Sequence, residues 1–171
     1  TDMKDGGYVH HNNIHHCQGS GFGYGVVTYL GSVCLIEANY FDYTRHSIAG
    51  DGSAGSGYEA RYNINGPHAT SQNFDMHGKP DPSGSGKIAG DLIKIHHNTF
   101  LGTEPVVAPP IVIRGVPRVG TYIDHNWFYY TSHAPVWQMN GKGNISMTYS
   151  LIGENKTLST SGPIHYVSWD L

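Results

Sequence analysis

The feature that most constrains this chain is a short pattern that keeps returning: an apolar residue, two variable ones, Asn, any residue, then usually another apolar or aromatic one. It reads "VHHNNI" at Asn12, "IEANYF" at Asn39, "ARYNIN" at Asn63, "IHHNTF" at Asn98 and "IDHNWF" at Asn126. Successive steps are 27, 24, 35 and 28 residues, and a further 24 reaches Ser150 in "MTYSLI", where the flanking apolar residues persist. A second series, "TYLG", "SIAG", "DMHG", "VIRG" and "QMNG", ends on Gly31, Gly50, Gly78, Gly115 and Gly141. Each repeat therefore holds two short strand-like segments and a third after the Asn. Such a period, with no helix-period stretch, excludes two-helix solenoids, and the missing LxxLxL pattern disfavours leucine-rich repeats. The predicted fold is all-β: a right-handed parallel β-helix of about six coils with three short strands per coil, residues 1–171 forming one domain. Asn suits the bend between strands because it tolerates the left-handed conformation, and stacked Asn side chains can hydrogen-bond along the axis. The Asn series is read as architecture.

Composition narrows the function classes. Charged residues are 13% of the chain, against about a quarter in ordinary domains, while Gly numbers 23 and His 12. A formal charge of −3 gives no basic footprint for nucleic acid. No apolar run approaches the roughly 20 residues of a membrane helix, so no membrane span is expected. Cys17 and Cys34 could form one bridge, but they lack CxxC neighbours, and two buried free thiols are the expectation placed ahead of it. The opening "TDMKDGGYVHH" has no signal-peptide core and no evident cap, and the chain reads as a mature or excised piece of a longer protein.

Alternation along strands sorts inward from outward residues. Before the Asn, Val9, Ile36, Ala60, Ile95 and Ile123 are expected inward. His10, Glu37, Arg61, His96 and Asp124 are expected outward, as are Tyr8, Leu35, Glu59, Lys94 and Tyr122. In the Gly-terminated segments Ile48, Met76, Ile113 and Met139 are expected inward, with Ala49, His77, Arg114 and Asn140, and Ser47, Asp75, Val112 and Gln138, outward. Adjacent coils lie about 4.8 Å apart, so Asp75, His77 and Arg114 form one patch, and Glu59, Arg61, Lys94, His96 and Asp124 a second. The long connection "KPDPSGSGKIAG" after Gly78 is expected to wall one side of a groove.

Carboxyl, imidazole and guanidinium at sheet spacing suit glycan chemistry. A carboxyl donates or accepts protons, Arg grips a uronate carboxylate, and His titrates near neutrality. Asp75 and His77 are the acid/base candidates, with Glu59 or Asp91 as a second carboxyl. Arg114 and Arg61 are carboxylate binders, and Arg45, His46, His96 and Asp124 are further candidate substrate contacts. His11, His97 and His125, each just before an Asn, are expected to turn inward and fill the bend. These spacings call for no metal and no cofactor, and "GDGSAGSG" has too few carboxylates for a calcium loop. Phe41, Phe100 and Phe128 are expected core; Tyr40, Trp127, Tyr129 and Tyr130 flank them as flat faces for sugar rings or for stacking on one another. "NIS" at Asn144 and "NKT" at Asn155 match glycosylation sequons.

Taken together, "RHSIAGDGSAGSGYEARYN", "NFDMHG", "AGDLIKIHHNTF", "IVIRGVP" and "YIDHNWF" resemble the disaggregatase-related proteins of methanogenic archaea, within the wider pectate-lyase-like β-helix superfamily. The resemblance spans roughly residues 8 to 130. It implies a secreted or cell-surface protein whose better-understood relatives loosen cell aggregates by degrading a chondroitin-like matrix polysaccharide. It also implies substrate along the outside of the first parallel sheet, the column bearing Asp75, His77 and Arg114. The expected function is cleavage of an acidic extracellular polysaccharide, with hydrolysis placed ahead of β-elimination; a non-catalytic glycan-binding or structural surface module is the alternative from another class.

Overall fold

The computed structural model describes residues 6–80, 87–102, 109–129, 134–153 and 157–158. The first coil carries β1 (Gly7–His10), β2 (Asn13–His15) and β3 (Tyr24–Thr28), and the second β4 (Val33–Glu37), β5 (Tyr40–Asp42) and β6 (His46–Gly50). The third holds β7 (Gly57–Arg61), β8 (Ile64–Asn65) and β9 (Phe74–Met76), and the fourth β10 (Leu92–His96), β11 (Thr99–Phe100) and β12 (Ile111–Ile113). The fifth holds β13 (Gly120–Asp124), β14 (Trp127–Phe128) and β15 (Val136–Gln138), followed by β16 (Ile145–Thr148), β17 (Leu151–Ile152) and β18 (Thr157–Leu158). Sheet one stacks β1-β4-β7-β10-β13-β16, sheet two β2-β5-β8-β11-β14-β17-β18, and sheet three β3-β6-β9-β12-β15. Neighbouring coils pair in parallel, and among the described strand pairs only the final β17–β18 pair is antiparallel. The fold is the expected right-handed parallel β-helix, with five complete coils and two strands of a sixth. No helix among the described residues is long and apolar enough to cross a membrane.

The core follows from the alternation. Ile36, Ala60, Ile95, Ile123 and Met147 stack in sheet one, Phe41, Phe100, Phe128 and Ile152 line sheet two, and Ile48, Phe74, Ile111 and Val136 line sheet three, all buried. Each fully buried large apolar side chain contributes about 1.5–3 kcal/mol. The Phe column is broken at Asn65, whose buried amide donates to the Thr99 carbonyl.

The Asn residues form a continuous ladder through the bend between sheets one and two. The Asn39 N–H and Nδ2 both donate to Asn63 Oδ1, at 3.0 and 3.1 Å. Asn63 repeats this onto Asn98 and Asn98 onto Asn126. Ser150 takes the last rung, its hydroxyl accepting from the Asn126 N–H at 3.4 Å. A buried polar network is tolerable only when every member is answered, and here the amides answer one another.

Several expectations are corrected. The left-handed residue is the one before the Asn: His11, Ala38, Tyr62, His97, His125 and Tyr149 all have φ between 49° and 56°. Asn serves through its amide instead. A left-handed residue throws its side chain outward, so His11, His97 and His125 are exposed. In sheet three Ile48 pairs with Phe74, whereas Met76 pairs with Gly50 and Ile113. In β15 Trp137 faces out and Gln138 in, so Met139 does not hold the expected core position. Gln138 tolerates burial because its amide donates to the Gly115 and Gly143 carbonyls and accepts from the Gly143 N–H. Leu35, in an outward column, is nevertheless fully buried between Tyr8 and Glu59. Both cysteines are free; Cys34 is buried, and burial pushes its thiol up, while Cys17 is half-buried.

Candidate functional site

Two clusters of ionisable side chains form on the outside of the middle coils, one on each of two sheets. The first stands on sheet three. Phe74 and Met76 point into the core, so Asp75 between them points out. The His77 N–H bonds the Gly50 carbonyl and the Arg114 N–H bonds the Met76 carbonyl, which brings His77 and Arg114 beside Asp75 from successive coils. Gly52, with φ +79°, lets that turn pass: a Cβ there would lie 2.0 Å from the His77 carbonyl oxygen.

Asp75 faces outward yet is fully covered. Its Oδ1 accepts from Gln72 Nε2 at 2.9 Å and from Arg114 Nε at 3.0 Å. Its Oδ2 lies 2.7 Å from His77 Nε2 and 3.9 Å from His46 Nε2. The His77 approach is close enough for an ion pair but not aligned as a hydrogen bond, and among the described residues Oδ2 has no hydrogen-bond donor. Burial alone would push the Asp75 carboxyl upward; the His77 contact and the charges of His77 and Arg114 outweigh it and hold the carboxyl below its ordinary value. Asp75 is therefore an anion and a poor proton donor. His46 is fully buried, its Nδ1 2.7 Å from the Gln72 carbonyl. Burial, reinforced by the charges of Arg45 and Arg114 and opposed by Asp75, brings its pKa down to about 4. At 3.9 Å and uncharged, it forms no ion pair with Asp75. Nor does it face polymer: buried side chains do not make substrate contacts.

The second cluster stands on sheet one around Glu59. Arg61 Nη1 lies 3.1 Å from Glu59 Oε1, His96 Nε2 3.3 Å from the same oxygen, and Lys94 Nζ 3.4 Å from Oε2. Arg61 also reaches Glu37 at 2.6 Å. The predicted grouping of Glu59, Arg61, Lys94 and His96 thus forms. Asp124 sits at its edge and pairs with His125 at 2.8 Å. None of Asp75's partners is shared with Glu59, and the two carboxylates serve different faces.

The remaining candidates scatter. Asp91 pairs with Arg118 at 3.4 Å. Arg45 Nη1 donates to the Gly21 carbonyl and the Tyr24 hydroxyl, both at 2.9 Å, and its guanidinium lies over the Tyr24 ring. The Asp51 carboxylate is consumed within "GDGSAGSG" by Ser53 and Ser56. The stem of the loop after Gly78 is clamped by Lys79 and Ile88, and Ile88 bridges to Val116; its tip, 81–86, lies outside the described residues, as do Tyr130 and Asn155. Asn144 is exposed, with Nδ2 donating to the Pro117 carbonyl.

Two features escaped the sequence reading. Because the left-handed residue throws its side chain outward, Tyr62, His97, His125 and Tyr149 form an exposed row. His97 and His125 are parallel at 4.9 Å, with Tyr62 and Tyr149 at 5.1 and 5.7 Å beyond them. With Trp127 they line a groove of about 590 Å³. The rings at the position before Asn were the signal, but the alternation rule misassigned them. The second is the convergence of His46 on Asp75. Among the described residues, two sets of donors lie close enough together to hold a metal ion: His46, Asp75 and His77, and His96, His97 and Asp124, each set within 4.8 Å.

No protein-family model, curated protein or solved structure matches this chain.

Proposed function

We propose that this β-helix cleaves an acidic, uronate-bearing polysaccharide laid across the outside of sheet three, outside the cell or at its surface. The observation that carries the reading is the contact of Arg114 with Asp75 Oδ1 beside the part-exposed His77. Only Arg114 Nε is engaged among the described residues, so its other N–H groups remain for a substrate carboxylate through paired hydrogen bonds. The resemblance to disaggregatase-related proteins supports the substrate class.

The geometry favours β-elimination over two-carboxyl hydrolysis. Hydrolysis needs two carboxyls flanking one bond, whereas Asp75 and Glu59 occupy separate faces. Elimination needs a cation against the uronate carboxylate and an acceptor for the neighbouring proton. Arg114 supplies the cation, and a water held beside His77 takes the C5 proton. The C4–O bond then breaks, a C4=C5 double bond forms, and the leaving oxygen takes a proton from water. Incubating the chain with chondroitin and polygalacturonate, while following ultraviolet absorbance and reducing ends together, tests this. Both should rise together, and Arg114→Ala should abolish the rise. Reducing ends without absorbance would mean hydrolysis.

The exposed row Tyr62, His97, His125 and Tyr149 favours a second reading, a glycan-binding module that stacks sugar rings along the groove. Tight binding to those polymers with no cleavage would replace the enzyme with the module.

A further inference from the structure

We propose that His46 Nε2, Asp75 Oδ2 and His77 Nε2 are the protein ligands of a divalent transition-metal ion of the zinc class. Two of these three atoms, His46 Nε2 and Asp75 Oδ2, belong to fully buried residues and have no hydrogen-bond partner among the described residues. The tautomer of His46 follows from its other nitrogen. Nδ1 lies 2.7 Å from the Gln72 carbonyl, which can only accept, so Nδ1 carries the hydrogen and Nε2 presents its lone pair. That lone pair faces the Asp75 carboxylate oxygen 3.9 Å away, another acceptor. Two buried acceptors facing each other repel unless a cation lies between them. His77 Nε2 approaches Oδ2 at 2.7 Å without hydrogen-bond alignment, as expected of a nitrogen aimed at a shared point.

Distances agree with a metal. Zinc bonds of about 2.0–2.1 Å in tetrahedral geometry put ligand atoms about 3.3 Å apart. The observed 2.7 and 3.9 Å straddle that value, within reach of small side-chain movements. Supporting contacts also agree. Metal-binding His usually donates its second N–H to a carbonyl, as His46 does to Gln72, and ligating carboxylates are held by outer hydrogen bonds, as Gln72 and Arg114 hold Oδ1. Two imidazoles and one carboxylate suit zinc, cobalt, nickel or iron, whereas calcium and magnesium require oxygen-rich shells. His77 and Arg114 form the open side, where water or an oxygen-bearing ligand takes the remaining position. The set of His96, His97 and Asp124, half-buried or exposed, lacks these buried lone pairs.

The test uses the full chain, stripped with a chelator and dialysed against Zn²⁺ or Co²⁺. Expected are one Zn²⁺ retained per chain, a visible Co²⁺ spectrum typical of low coordination number, and a higher Tm with Zn²⁺. His77→Gln changes a part-exposed side chain, leaves the core intact and should abolish retention. Gln72→Ala should weaken affinity about 10-fold through loss of its hold on Oδ1, while His96→Gln should bind as the parent does. A folded parent that retains neither ion, or a His77→Gln chain that binds undiminished, would overturn the assignment. No glycan enters these measurements: a chain that binds zinc and cleaves nothing keeps this inference and loses the proposed function, and the reverse result does the opposite.

Discussion

Asp75 and Glu59 are both outward-facing carboxylates on the third coil, both nearly excluded from water, and they are built to opposite ends. Glu59 is answered on both oxygens by Arg61, His96 and Lys94, whose side chains retain 25, 20 and 34% exposure. It is a surface network whose part-exposed nitrogen groups rehydrate readily. Asp75 is answered fully on Oδ1 only, while Oδ2 faces two imidazole nitrogens in a dry setting. Closure marks a group that holds structure together. The unanswered Oδ2 of Asp75 is the atom proposed above to bind an ion.

Stability measurements by denaturant unfolding probe that contrast. Asp75→Ala should cost about 3–5 kcal/mol, because it strands a mostly buried Arg114 and empties a filled position; a cost near that of Glu59→Ala would erase the distinction. Asn98→Ala is the control for a closed buried network. It removes the acceptor of the Asn63 N–H and of one Nδ2 hydrogen, the other staying on the Ile36 carbonyl, and should cost about 3 kcal/mol. Glu59→Ala should cost only about 1 kcal/mol and much less in 1 M salt, where exposed pairs are screened. Salt should leave the Asp75→Ala cost nearly unchanged, and equal salt sensitivity would refute the difference in burial.

An effect as small as that at Glu59 belongs to Asp42, whose contact with His68 lies between those extremes. Burial works against its carboxylate, but the His68 ring at 2.9 Å and the His68 and Tyr43 N–H groups hold its pKa below the ordinary value. A depressed folded pKa contributes stability above the unfolded value of about 3.9, and that contribution is lost as pH falls through the folded value. Asp42→Asn should therefore cost about 1 kcal/mol at neutral pH and nothing in strong acid. An unchanged difference at low pH would show that the pair is not what Asp42 contributes.

The coil architecture was readable because one repeat carries both spacing and alternation: Asn12 to Ser150 marked each bend, and Ile36, Ile95 and Phe100 fell inward by counting. The meeting of Asp75, His77 and Arg114 was readable because Gly78 and Gly115 set two neighbouring coils in the same register. Met139 and Gln138 exchanged places because Gly141 follows a turn one residue longer, and a slip of one reverses every side chain. The left-handed position was hidden because strict alternation assigns its side chains inward, although five of its six occupants, His11, Tyr62, His97, His125 and Tyr149, are rings that the left-handed backbone turns outward. His46 was placed on the wrong side of solvent. Its approach to Asp75 depends on the Gln72 carbonyl in a turn of the next coil, which no local pattern announces.

The asparagine ladder has a direction. At rungs 12, 39, 63 and 98 the backbone N–H and the side-chain amide both point to the oxygen of the following coil. Loss of a rung strands two donors in the coil before it, whereas the coil after it keeps its donors and merely has an oxygen with fewer partners. Buried N–H groups bear such loss less well than oxygens with two lone pairs. Damage should therefore travel toward the amino-terminal side, and in an Asn98→Ala chain amide exchange should quicken around Asn63 before it does around Asn126.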